Sequence, residues 1–185
     1  MQARKLIVLA ATLVSLVAAG SAFAQDKAAK QKEVKAKAAA TLEDFYKANP
    51  KLKDVVAKAP GYAVFTTYGL SFLVGGAGGK GIAHDNKTKK DVYMDLAQAS
   101  AGVQIGASDT RYLFVFKDAK SLHDFVEKGW DASFGGGAGA AAGSVGGGGG
   151  GAVFTGGEAY TLTKNGLQVG FAAAGTKVWK DKELN

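Results

Sequence analysis

Apolar side chains between Val34 and Phe45 recur at helical spacing, with Val34, Ala38, Leu42 and Phe45 on one stripe. The surrounding residues 26–48 are rich in Ala, Lys and Glu, all good helix formers, and Asn49-Pro50 stops the run. The amphipathic part is confined to Val34–Tyr46, because Lys27 and Lys30 project near the same stripe one or two turns earlier. A second short helix, Leu52–Lys58, ends before Pro60-Gly61.

Beyond Gly61 the period changes. Strands are expected at about 62–67, 70–74, 81–84, 92–96, 101–107 and 111–116, with turn chemistry at Asp85-Asn86 and a central strand in the apolar run Tyr112–Phe116. Asp118 is placed to cap a helix carrying Leu122, Phe125 and Val126 on one face, closed by Gly129. Two alternating runs flank Lys164-Asn165-Gly166, a hairpin signal that would turn Leu167, Val169 and Phe171 inward. Short returns without a long β-α repeat predict an α+β fold, a mostly antiparallel β domain with an N-terminal helical arm and one internal helix.

Glycine recurs inside the strand-like segments between Gly61 and Gly106, where a missing side chain lets another group approach the backbone closely. From Ala132 to Gly157 there is no charge, and six glycines run from Gly146 to Gly151. Glycine offers little apolar surface, so this stretch reads as a flexible or partly β excursion before it reads as membrane-inserted.

Arg4 and Lys5, the apolar stretch Leu6–Ala19 and the small residues Ser21-Ala22-Phe23-Ala24 have the layout of an export signal cleaved near Ala24. The expected address is the periplasm or the cell exterior. Removing 24 of 185 residues leaves 161, enough for one domain, divided into a basic arm (25–58) and a β-rich body (59–185). The chain has no cysteine, which excludes disulfides, thiolate metal sites and a lipid-modified cysteine.

The chain carries 23 basic and 16 acidic residues, and the excess is concentrated: residues 26–58 hold nine lysines against five carboxylates, a net of +4. Aromatic residues are not interleaved with these lysines, so nucleic acid is not the expected partner. Gly76–Gly81 matches G-x-G-x-x-G literally, but no helix starts there to meet a pyrophosphate. Lys80 with neighbouring backbone N–H groups is nominated instead for an anionic headgroup, against the plain reading of a solvated lysine. His84-Asp85 and His123-Asp124 are too few for a zinc site, and Ser144 lies in the glycine-rich stretch rather than on a rigid nucleophile turn. Neither an enzyme nor a cofactor is implied.

Three segments carry a resemblance: Ala57-Lys58-Ala59-Pro60-Gly61-Tyr62-Ala63-Val64-Phe65, then Gly75-Gly76 through Gly79-Lys80-Gly81, then Ala101-Gly102-Val103-Gln104-Ile105-Gly106-Ala107. With Phe114–Phe125 and Asn165-Gly166-Leu167 through Asn185 in the same order, the chain from about Leu42 onward resembles the SYLF lipid-binding domain family. That resemblance implies a non-enzymatic domain that binds anionic phospholipids through a basic amphipathic N-terminal segment, some eukaryotic members also engaging actin. The chain departs from the family at Lys90–Asp95 and in the polyglycine after Gly146.

Together these readings nominate Lys27, Lys30, Lys32, Lys35 and Lys37 to attract anionic lipid while Val34, Leu42 and Phe45 enter the interface, with Lys80 as an accessory cation. The competing expectation is a structural or interaction module of the cell envelope, its arm docked on the β domain and its glycine-rich loop meeting a partner.

Overall fold

The computed structural model describes residues 2–68, 76–99, 110–131, 140–142, 152–163, 166–169 and 176–185. In chain order they form α1 (Gln2–Ala48), α2 (Leu52–Lys58), β1 (Gly61–Tyr68), β2 (Gly76–Asp85), β3 (Asp91–Ala99), β4 (Arg111–Phe116), α3 (Ala119–Lys128), β5 (Trp130–Asp131), β6 (Ala140–Ala142), β7 (Ala152–Phe154), β8 (Gly157–Thr163), β9 (Gly166–Val169) and β10 (Thr176–Lys180). Eight strands make one sheet in the order β5-β10-β3-β2-β1-β4-β8-β9, and β6 pairs with β7 separately. Every pairing is antiparallel, so the fold is α+β as the residue pattern predicts. The strands expected at 70–74 and 101–107, the inward Phe171, Ser144 and most of the glycine-rich stretch lie outside the described residues.

Strand alternation sends side chains to two separate cores. Ala63, Phe65, Met94, Phe114 and Phe116 meet Leu122, Phe125 and Val126 of α3 on one face. Val64, Ile82, Tyr93, Leu113 and Val115 meet Val34, Ala38 and Phe45 of α1 and Leu52 and Val56 of α2 on the other. β4 lies between β1 and β8 and is buried from Tyr112 to Phe116, the central strand its apolar run predicts. The α3 core is aromatic, with Phe114 ring centroids 5.5 Å from Phe125, 5.8 Å from Trp130 and 5.3 Å from Phe154.

Local signals act as expected. Asp118 Oδ1 accepts from the Ser121 N–H at 2.6 Å, capping α3, and Gly129 closes it at φ 73°. Glycine permits close approach in β2: a Cβ on Gly81 would meet the Val64 carbonyl and lie 2.6 Å from the Phe65 ring, and one on Gly79 would lie 2.8 Å from the Thr66 carbonyl.

Three expectations are corrected. β2 runs from Gly76, so the G-x-G-x-x-G residues sit inside a strand rather than ahead of one. Their N–H groups therefore serve ladders with β1 and β3, and no anion-binding nest forms. Val169 is 76% exposed rather than inward, because β9 is an edge strand paired only with β8; Leu167 does reach the α1-side core.

Candidate membrane-binding site

The stripe read from the sequence is the face by which α1 is fixed. Val34, Ala38, Thr41 and Phe45 are buried, Phe45 completely, and Leu42 is partly buried against the same core. The Thr41 and Thr66 hydroxyls are hydrogen-bonded at 2.7 Å, and Asp44 pairs with Arg111 at 3.1 Å. Nearer the start of the described side chains, Lys27 donates to the Asn185 carbonyl and Gln31 to the Leu184 carbonyl, both at 2.7 Å. Val34, Leu42 and Phe45 are thus not presented to a bilayer in this conformation. Their burial against β1, β2 and β4 removes more apolar area from water than an exposed helix face permits, which is why they belong to the core.

The nominated lysines meet different fates. Lys30 pairs with Asp26 at 2.7 Å and Lys37 with Glu33 at 2.5 Å, both one turn apart along the exposed side of α1. The hydrogen bond that Lys30 donates to Asp26 raises the Lys30 pKa, and the one that Glu33 accepts from Lys37 lowers the Glu33 pKa. Lys35 reaches Asp91 at 2.8 Å and lies 5.9 Å from the centre of the Tyr93 ring. Lys32 is exposed and makes no ion pair among the described residues.

Lys80 is not a loose cation. On the sheet face beneath α1 it bonds Asp95 at 2.7 Å and Asp181 at 2.5 Å. Burial disfavours its charge, but these two carboxylates outweigh the penalty and its pKa rises. Asp181 is almost fully buried and also accepts from the Glu183 and Leu184 N–H groups. Four nominated residues, Lys30, Val34, Lys37 and Lys80, line one cleft of about 280 Å³ together with Glu33, Glu183 and Leu184. Asp95 and Asp181 already neutralise the cleft floor, so it is a poor trap for a phosphate.

His84 pairs with Asp91 at 2.6 Å rather than with its neighbour Asp85, which instead receives the Lys87 and Thr88 N–H groups. Asp91 therefore stands between Lys35 and His84, which outweigh its burial and hold its pKa low. Among the described residues no group of three His, Asp or Glu side chains is arranged to hold a metal ion.

The lysines nominated for lipid contact do not include those of α2 or of the turn between β2 and β3: Lys51, Lys53, Lys58, Lys87, Lys89 and Lys90. All six are exposed, and none is ion-paired among the described residues. Counting lysines was not enough to find them. Local spacing does not find them either: Lys58 has Asp54 and Lys87 has Asp91 four residues away, yet neither pair forms, and Asp91 is taken by Lys35 and His84.

The described strands thus form an antiparallel sheet covered by α1 and α2 on one face and by α3 on the other, with lysines on its outer surface. Residues 97–185 match the family described as "Ysc84: Las17-binding protein actin regulator". Over that stretch the chain is similar to the SYLF (Ysc84) family, the family its residue pattern resembles. It is also similar to "Beta cell expansion factor A" of Aeromonas veronii, 30% identical over 141 residues. That alignment covers 76% of this chain and 53% of the relative, so the chain spans about half of that protein's length.

Proposed function

We propose that the protein is an exported, non-enzymatic domain that attaches peripherally to anionic phospholipid surfaces through its basic N-terminal segment, residues 25–58. One observation carries this reading: α1 spends its apolar stripe on the sheet, while eight of the nine lysines in residues 26–58 are exposed and Lys27 is half-exposed. Attachment is then electrostatic, made by a folded helix and salt-sensitive. Each lysine near a negative bilayer contributes about 1 kcal/mol, and the five carboxylates of the segment reduce the sum.

Co-sedimentation with phosphatidylcholine vesicles, with and without phosphatidylglycerol, tests this. Binding only to the anionic vesicles, falling as salt rises, is expected; equal binding to both, or to neither, overturns it.

A second reading, a structural or protein-interaction module of the cell envelope, draws on the same burial of Val34 and Phe45, since a docked arm is what it requires. A protein bound to neither vesicle type but captured in a defined envelope complex would favour it.

A further inference from the structure

Where α2 ends, the turn joining β2 to β3 folds back against it. The Asn86 side chain donates to the carbonyls of Val56 and Ala59, both at 2.8 Å, and its backbone N–H donates to Pro60 at 2.9 Å. Asp85 Oδ1 accepts the Lys87 N–H at 2.7 Å and the Thr88 N–H at 2.9 Å, and the Lys89 N–H returns to the Asp85 carbonyl at 2.8 Å. Lys89 itself holds the left-handed conformation at φ 58°. The turn is thereby fixed to the last turn of α2 rather than free to wander.

This fixing gathers charge. Lys87, Lys89 and Lys90 come beside Lys58, with Lys53 earlier on the same short helix, and all five are exposed. Three carboxylates accompany them, Asp54, Asp85 and Asp91; Asp85 is engaged by its own turn and Asp91 by Lys35 and His84. Val55, 37% exposed, adds an aliphatic side chain to the same end of the molecule, and Tyr62 lies half-buried at its margin. The lysines of α1 nominated from sequence are, by contrast, largely paired with Asp26, Glu33 and Asp91.

We infer that this end of the sheet, carrying Lys53, Lys58, Lys87, Lys89 and Lys90 around Val55, is the surface that faces an anionic bilayer. The inference rests on the proposed lipid attachment and relocates it from the length of α1 to one end of the domain. A bilayer is the occupant of matching chemistry: headgroup phosphates meet unpaired cations whose desolvation is not already offset, and an exposed aliphatic group meets the acyl boundary. A nucleic acid would find no aromatic platform among these lysines and no use for Val55.

The test compares three full-length proteins on phosphatidylglycerol-containing vesicles: wild type, K58Q/K87Q/K89N/K90Q, and the α1 variant K27Q/K30Q/K32Q/K37Q. Since each lysine near a negative surface is worth a factor of about five, the first variant is expected to bind at least tenfold more weakly, with unchanged melting temperature, and the α1 variant to lose less. Loss confined to the α1 variant overturns this placement while leaving lipid attachment standing. A wild type that ignores anionic vesicles overturns both. Vesicle binding unchanged in the first variant while binding to a DNA duplex is lost would reassign the patch to another polyanion and overturn the inference.

Discussion

Lys80 Nζ lies 2.5 Å from Asp181 Oδ2, joining β2 to the final turn of the chain across 101 residues. Asp95 takes a second bond from the same ammonium, so a lysine that reads as an accessory for lipid headgroups serves to hold Asp181 in place. The closing residues build on it: the Asp181 N–H donates to the Tyr93 carbonyl, and the Asn185 side chain bonds both the N–H and the carbonyl of Tyr93.

Replacing Lys80 by Met leaves a buried carboxylate without its counter-charge. We expect a loss of about 1–3 kcal/mol in denaturant unfolding, below the value for a fully buried pair because the Lys80 side chain is 43% exposed. In the K80M/D181N double variant much of that loss should return. A double variant as weak as the sum of the two singles would show that the residues act independently.

Acid should weaken the fold through the same carboxylates. Burial pushes Asp181 toward the neutral acid, but Lys80 and two backbone N–H groups prevail and hold its pKa down; Lys35 and His84 do the same for Asp91. A depressed folded-state pKa stabilises above the unfolded value of about 4, and that contribution drains as pH falls through the folded pKa. Lys35 and Lys80 have raised pKa values, so their contributions are complete below about 10.4 and are lost only above it. Melting temperature should therefore fall below pH 4, with a shallower fall in D181N than in wild type. Parallel curves would contradict this assignment.

Phe45 anchors α1 with no exposed surface. Phe45→Ala should cost about 3–5 kcal/mol, and deletion of residues 25–49 should lower the melting temperature sharply. A deletion variant that melts with wild type would mean the helix contributes nothing to the sheet's stability.

Glycine in β2 offers a paired comparison. Gly81→Ala drives a methyl into the Val64 carbonyl and the Phe65 ring, whereas a Cβ on Gly78 meets nothing within 4 Å. We expect about 1–3 kcal/mol of destabilisation at Gly81 and little change at Gly78, read from urea midpoints. Equal effects at both positions would show that strand entropy, rather than close approach, governs these glycines.

Much of this architecture is legible along the chain because its causes are local. The period of Val34, Ala38, Leu42 and Phe45, the Asp118 cap, and the unbroken run Tyr112–Phe116 each identify an element and its buried side. What covers the α1 stripe is another matter, since Thr41 meets Thr66 and Asp44 meets Arg111 only once the sheet has formed. The site was less legible for the same reason. Lys35 finds Asp91 and Lys80 finds Asp181 through long-range pairings, and Asn86 fixes its turn to α2 across about thirty residues. Lysines that look alike in composition were thereby sorted into paired and unpaired sets by topology.

On this reading α1 stays on the sheet while the lysine-bearing surface meets the bilayer. This can be tested by locking the helix: the chain has no cysteine, and the Thr41 and Thr66 side chains meet at 2.7 Å, so T41C/T66C can be bridged by oxidation. Sedimentation of the oxidised and reduced forms with phosphatidylglycerol vesicles decides the matter. Equal binding is the predicted result; binding that disappears on oxidation and returns on reduction would show that α1 must leave the sheet, contradicting the account.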